Sequence, residues 1–148
     1  AVLDPSGFVI TQASGDQSYP SVGFDGTNSF VVWQDYRDHP SEPDIYAARV
    51  TPEGTVLDST GLLITQAARD EFTPAISFDG QNFLVVWEDH RAGSADVYGA
   101  RVTPGGTVLD PGGLAIAQVA NDVPRRPLAG RRFRNELRDG RLCLPAGS

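Results

Sequence analysis

The chain has no lysine and no methionine, one cysteine, Cys143, and two histidines, His39 and His90, in 148 residues. A single cysteine excludes an internal disulfide and a cysteine-based zinc cluster. Two histidines leave little for a His-rich metal site. Without lysine there is no P-loop, and neither Gly-x-Gly-x-x-Gly nor the Gly-x-Ser-x-Gly nucleophile elbow occurs. No apolar run approaches the ~20 residues that a membrane-crossing helix needs. No stretch keeps a 3.6-residue apolar period between caps, so helix is expected to be nearly absent. With no Met and Ala1 first, the text reads as a mature product or a fragment, and no signal peptide is visible.

What is present is unevenly placed. The formal net charge is -7, yet residues 1–122 hold five Arg and 17 acids while residues 123–148 hold seven Arg and two acids. The acidic majority of the chain argues against a phosphate-binding nucleic-acid surface. The length suits one domain of ordinary size, on the order of 100–150 residues.

An internal repeat governs residues 2–122. Val2-Leu3-Asp4 returns as Val56-Leu57-Asp58 and Val108-Leu109-Asp110, at spacings of 54 and 52 residues. Phe24-Asp25-Gly26 returns as Phe78-Asp79-Gly80, Val31-Val32-Trp33 as Val85-Val86-Trp87, and Ala48-Arg49-Val50-Thr51-Pro52 as Ala100-Arg101-Val102-Thr103-Pro104. The two units differ by two residues between Arg37 and Asp44, which marks a loop. Each unit reads as four short strands. In the first, Tyr19 to Phe24 leads through an Asp-Gly turn into Phe30 to Gln34, a hairpin signal. Ile45 to Val50 follows, and then a fourth strand made from Val56-Leu57 and Leu62 to Thr65.

A four-stranded unit of this length looks like one β-propeller blade. The text also resembles the tandem repeats of secreted bacterial propeller-like proteins, through Phe-Asp-Gly-x-Asn-x-x-Val-Val-Trp-x-Asp and Asp-x-Tyr-x-Ala-Arg-Val-Thr-Pro-x-Gly-Thr-Val-Leu-Asp. The resemblance implies an all-β fold and an extracellular setting, but no particular activity, because propellers bind, scaffold and hydrolyse alike. The expected organisation is a repeat region over 1–122, with blades at 19–66 and 73–118 and a spare copy of the fourth strand at 2–12. Two blades cannot close a ring of roughly 4–8 blades. Homo-oligomerisation is therefore expected, a trimer supplying six blades, unless the chain is a piece of a longer propeller. The spare strand suits edge pairing with a neighbouring subunit. The Arg-rich stretch 123–148 breaks the repeat. Shifted-frame codons for residues 131–140 can spell Asp-Gly-Phe-Gly-Thr-Asn-Phe-Val-Met, which points to a frame-slipped third blade, the rival being a basic docking tail.

Trp33, Asp35 and Arg37, repeated as Trp87, Asp89 and Arg91, fall two residues apart and so on one strand face. They form either a ligand pocket per blade, with the indole stacking on a sugar and the charged groups bonding its hydroxyls, or a packing unit. In the packing reading Trp belongs to the core, and Asp35 and Asp89 meet Arg49 and Arg101. Asp35, Asp38 and Asp44, or Asp89 and Asp96, could wrap calcium, although no twelve-residue calcium loop is spelled out. Glu88 and Asp89 point to opposite faces and cannot form a catalytic pair. The expected role is a binding or scaffolding module with carbohydrate as first ligand. The alternative is a hydrolase of glycosidic or ester bonds, using His39 or His90 with a nearby Asp at a site between subunits or in the central channel.

Overall fold

A computed structural model describes residues 1–65 and 70–118. It is all-β there, with eight strands in two four-stranded antiparallel sheets and no helix. Sheet 1 holds β1 (Gln17–Phe24), β2 (Ser29–Asp35), β3 (Asp44–Val50) and β4 (Leu62–Thr65); sheet 2 repeats it with β5 (Glu71–Phe78), β6 (Phe83–Asp89), β7 (Asp96–Val102) and β8 (Leu114–Ala117). Each sheet is a meander in sequence order. The β1–β2 and β5–β6 hairpins close where expected, with Asp25 Oδ1 accepting from the Thr27 and Asn28 N–H groups and Gly26 at φ 95°. Asp79 and Gly80, at φ 97°, do the same in the second unit. Only glycine enters that backbone region freely.

The fourth strands are shorter than the sequence suggested. Val56 makes only an isolated bridge to Val50, because the turn at Asp58–Gly61 separates it from β4. Residues 2–12 belong to neither sheet, although the turn at Asp4–Gly7 repeats the Asp58–Gly61 turn, with Gly7 N–H donating to the Asp4 carbonyl. The stretch 123–148, with the expected frame-slipped blade, lies outside the described residues.

The sheets stack face to face, and pleat alternation decides which residues meet. From sheet 1 come Phe30, Val32, Ile45, Ala47 and Ile64; from sheet 2 come Phe83, Val85, Trp87, Tyr98, Ala100 and Val102. Phe30 packs tilted on Phe83 at 4.7 Å between centroids. Gly23 lets the sheets close, since a Cβ there would stand 3.2 Å from the Phe83 ring. Burial of β2 on both faces, foreseen from its apolar run Phe30-Val31-Val32-Trp33, follows from this stacking on one side and from Ile10 and its neighbours on the other.

The contacting faces are not equivalent in the repeat. Sheet 1 uses the face of Phe30, Val32 and Gln34; sheet 2 uses the face of Val85, Trp87 and Asp89, which matches Val31, Trp33 and Asp35. The junction is front to back. One front face, that of sheet 1, and one back face, that of sheet 2, therefore remain on the outside.

Candidate functional site

The sequence-predicted residues do converge, twice, into the same constellation. Trp33 Nε1 donates to Asp35 Oδ2 at 2.7 Å, and the Arg37 guanidinium grips both carboxylate oxygens at 2.9 and 2.6 Å. The Arg37 backbone N–H donates to Asp35 Oδ1 at 3.0 Å. In sheet 2 Trp87 Nε1 reaches Asp89 Oδ2 at 3.1 Å and Arg91 closes on it at 2.9 and 2.6 Å. Each guanidinium also lies over a tyrosine of the next strand, Arg37 on Tyr46 at 3.8 Å and Arg91 on Tyr98 at 4.0 Å. Each then donates to a carbonyl in the turn before the fourth strand, Arg37 to Thr60 and Arg91 to Gly112. One side chain thus ties the end of the second strand to the third strand and to the fourth-strand turn. Gly61, at φ 82°, accommodates this, since a Cβ there would stand 3.0 Å from the Tyr46 ring.

The geometry turns these groups inward. Trp33 and Asp35 are 3% and 1% exposed, Trp87 and Asp89 2% and 0%. Burial pushes the Asp35 and Asp89 carboxyls up, but the bonds from Arg and Trp outweigh it and hold both below the usual carboxylate value. They stay ionised, and their oxygens are committed to groups of their own sheet. The expected partnership of Asp35 and Asp89 with Arg49 and Arg101 is corrected. Arg49 instead pairs with Asp58 at 2.8 Å and Arg101 with Asp110 at 2.8 Å, fixing the start of the fourth-strand segment to the third strand. A residue two positions along the same strand end reaches the carboxylate first.

The calcium reading finds no cradle. Asp35 and Asp89 are spent on their triads, and Asp38 accepts from the Tyr46 hydroxyl at 2.9 Å. Asp44 and Asp96 are buried and engaged. Among the described residues no group of three or more His, Cys, Asp or Glu side chains could hold an ion. The histidines stand apart in chemistry as in sequence. Exposed His39 interacts with Ser41, while His90 Nε2 lies 2.7 Å from Glu88 Oε1 and edge-on to Phe72.

Two groups that sequence reading missed bind the sheets together. Glu71 is fully buried between them, accepting from Thr65 Oγ1 at 3.1 Å and the Ile45 N–H at 3.3 Å, with Arg91 at 3.9 Å. Burial, reinforced by Asp89 and Asp44, pushes its carboxyl up to about 8. Gln34, 1% exposed, accepts the Thr73 N–H at 2.8 Å, where β5 shifts register and Thr73 takes φ 49°. The available signal was a mismatch within the repeat, since Gln17 stands where Glu71 does and Glu88 where Gln34 does.

On the front face of sheet 1 two connected grooves remain beside the N-terminal segment. One, about 320 Å³, is lined by Phe8, Ile10, Gln17, Pro20, Val31 and Trp33; the other, about 490 Å³, runs from Phe8 and Pro20 to Val50 and Gly54. Trp33 forms part of the floor. The chain matches no protein-family model, no curated protein and no solved structure. Among the described residues no helix is long and apolar enough to cross a membrane.

Proposed function

We propose that this chain is a binding and scaffolding module of propeller type, each sheet a blade, and that it assembles with copies of itself, most simply as a trimer of six blades. The observation that supports the reading is the pair of unmatched faces. The front of sheet 1 is covered by no sheet, its Trp33, Tyr46 and Ala48 being buried under the N-terminal segment at Ile10, and Leu84, Val86 and Val97 on the outer back of sheet 2 correspond to Phe30, Val32 and Ile45, which sheet 1 buries. Leu84 and Val97 are each 41% exposed. Burying apolar surface of this kind is the main driving force of association. The Trp-Asp-Arg triads hold each blade in shape and leave the faces to do the binding. The extracellular bacterial setting that the resemblance implies belongs to the same proposal.

Carbohydrate is the small ligand kept in the reading, because the groove beside the N-terminal segment is apolar, lined by Phe8, Pro20 and Val31 with Trp33 buried at its base. No observation favours the hydrolase reading over it. The test is solution mass by light scattering across a concentration series, with a glycan panel and generic chromogenic esters and glycosides in parallel. The reading expects multiples of the 15.8 kDa chain. A monomer at every concentration overturns self-assembly, and turnover of an ester or glycoside moves the chain to the hydrolases.

A further inference from the structure

Residues 2–11 are seated where a neighbouring blade would place its fourth strand. Phe8 lies 3.7 Å from the position of a Cβ on Gly54; Leu62, its repeat equivalent in β4, lies 2.9 Å from that of Gly106, the equivalent of Gly54. Ile10 packs with Trp33, Tyr46 and Ala48, as Ile64 of β4 packs with Trp87, Tyr98 and Ala100. The N-terminal segment therefore stands to sheet 1 as β4 stands to sheet 2. Among the described residues no three further strands stand beside it as β1–β3 stand beside β4, and the two grooves lie along the segment over the front of β1 and β2.

Resting on the self-assembly reading, we infer that residues 2–11 complete the sheet β5–β6–β7 of a second copy, replacing its own β8. The occupant is a second copy because the polar contacts of the internal junction have counterparts. Inside the chain the Glu71 N–H donates to the Pro43 carbonyl, the Ile45 N–H to Glu71 and the Thr73 N–H to Gln34. Across copies the same positions are the Gln17 N–H with the Ala95 carbonyl, the Val97 N–H with the Gln17 side chain, and the Tyr19 N–H with Glu88. Tyr19 already holds the strained backbone of Thr73, φ 51° against 49°. Leu84 fills the groove position that Phe30 fills in the internal junction.

The segment also suits β7 better than β8 does. β8 is short and exposed along its whole length, Leu114-Ala115-Ile116-Ala117. The incoming strand brings Phe8-Val9-Ile10-Thr11, with larger apolar side chains at Phe8 and Val9 than β8 has at Leu114 and Ala115. Asp4 makes no ion pair among the described residues and would take the place of Asp110 on Arg101. Strand addition of this kind draws affinity from the main-chain ladder and specificity from alternate side chains.

The test compares four proteins by sedimentation equilibrium: the full chain, a chain lacking residues 1–12, Glu88→Leu and Glu88→Gln, with circular dichroism confirming that each keeps its sheets. The inference expects the shortened chain to be monomeric and a synthetic peptide of residues 1–12, in excess, to dissociate the full-length assembly. Glu88→Leu, which removes the acceptor for Tyr19, weakens association about tenfold or more, while Glu88→Gln, matching Gln34, does not. If the full chain assembles and the shortened chain assembles equally, with the peptide inert, strand donation is overturned and self-assembly stands. If the full chain is itself a monomer, the broader reading has failed.

Discussion

Two kinds of buried carboxylate set the behaviour of single residues. Asp89 is fully buried and accepts from Trp87 Nε1 and three Arg91 nitrogens, so Asp89→Ala leaves the buried indole N–H without an acceptor and strips the Arg91 guanidinium of its carboxylate. Breaking one side of a buried pair costs about 3–5 kcal/mol, which urea denaturation would read as a lowered midpoint. Because the folded Asp35 and Asp89 sit below the ordinary carboxyl value of 3.8, their contribution is full above that pH and is lost as the pH falls through the lower folded values. Glu71 works in the opposite sense. Its carboxyl is raised from 4.5 to about 8, so the folded state binds more protons than the unfolded one and stability declines as pH rises across that interval. Glu71→Gln, the residue the first repeat carries as Gln17, is expected to flatten the decline in melting temperature between pH 5 and pH 8. An unchanged slope would show that Glu71 is already ionised in the fold.

At the scale of elements, the junction depends on a few cross-sheet bonds as well as on the phenylalanines. Gln34→Leu removes the acceptor of the Thr73 N–H at the register shift of β5 and is expected to cost about 1–3 kcal/mol in denaturant midpoint. A loss under a few tenths would mean that water serves that amide instead. The hairpins are more local in origin: Gly80→Ala forces a side chain into φ 97° and is expected to destabilise by about 1 kcal/mol. The strands, the Asp-Gly turns and the shared face of Trp, Asp and Arg were legible in the sequence because pleat alternation and turn chemistry act over two to four residues. The partners that lie in another strand or another sheet were not. Arg37 finding Tyr46, Arg49 finding Asp58, and Glu71 finding Thr65 and Ile45 depend on how strands stagger and sheets stack. The alternation patterns of β2 and β6 alone do not reveal which face meets which, because both faces carry apolar residues.

For the whole molecule the consequence of a repeat is directional. A unit that buries its back on the next unit's front leaves one of each exposed after any number of copies, unless the series closes on itself. Here the front of sheet 1 is covered only by the N-terminal segment at Phe8 and Ile10, with Trp33 buried and Val31 half-buried beneath it, and the outer back of sheet 2 carries exposed Leu84 and Val97 with half-buried Val86. The most direct measurement is amide hydrogen exchange at Tyr19, compared with Thr73 as internal reference, in dilute and concentrated protein. If copies stack front to back, Tyr19 gains protection with concentration and approaches Thr73. Exchange at Tyr19 that stays fast and independent of concentration, while Thr73 remains protected, contradicts the account.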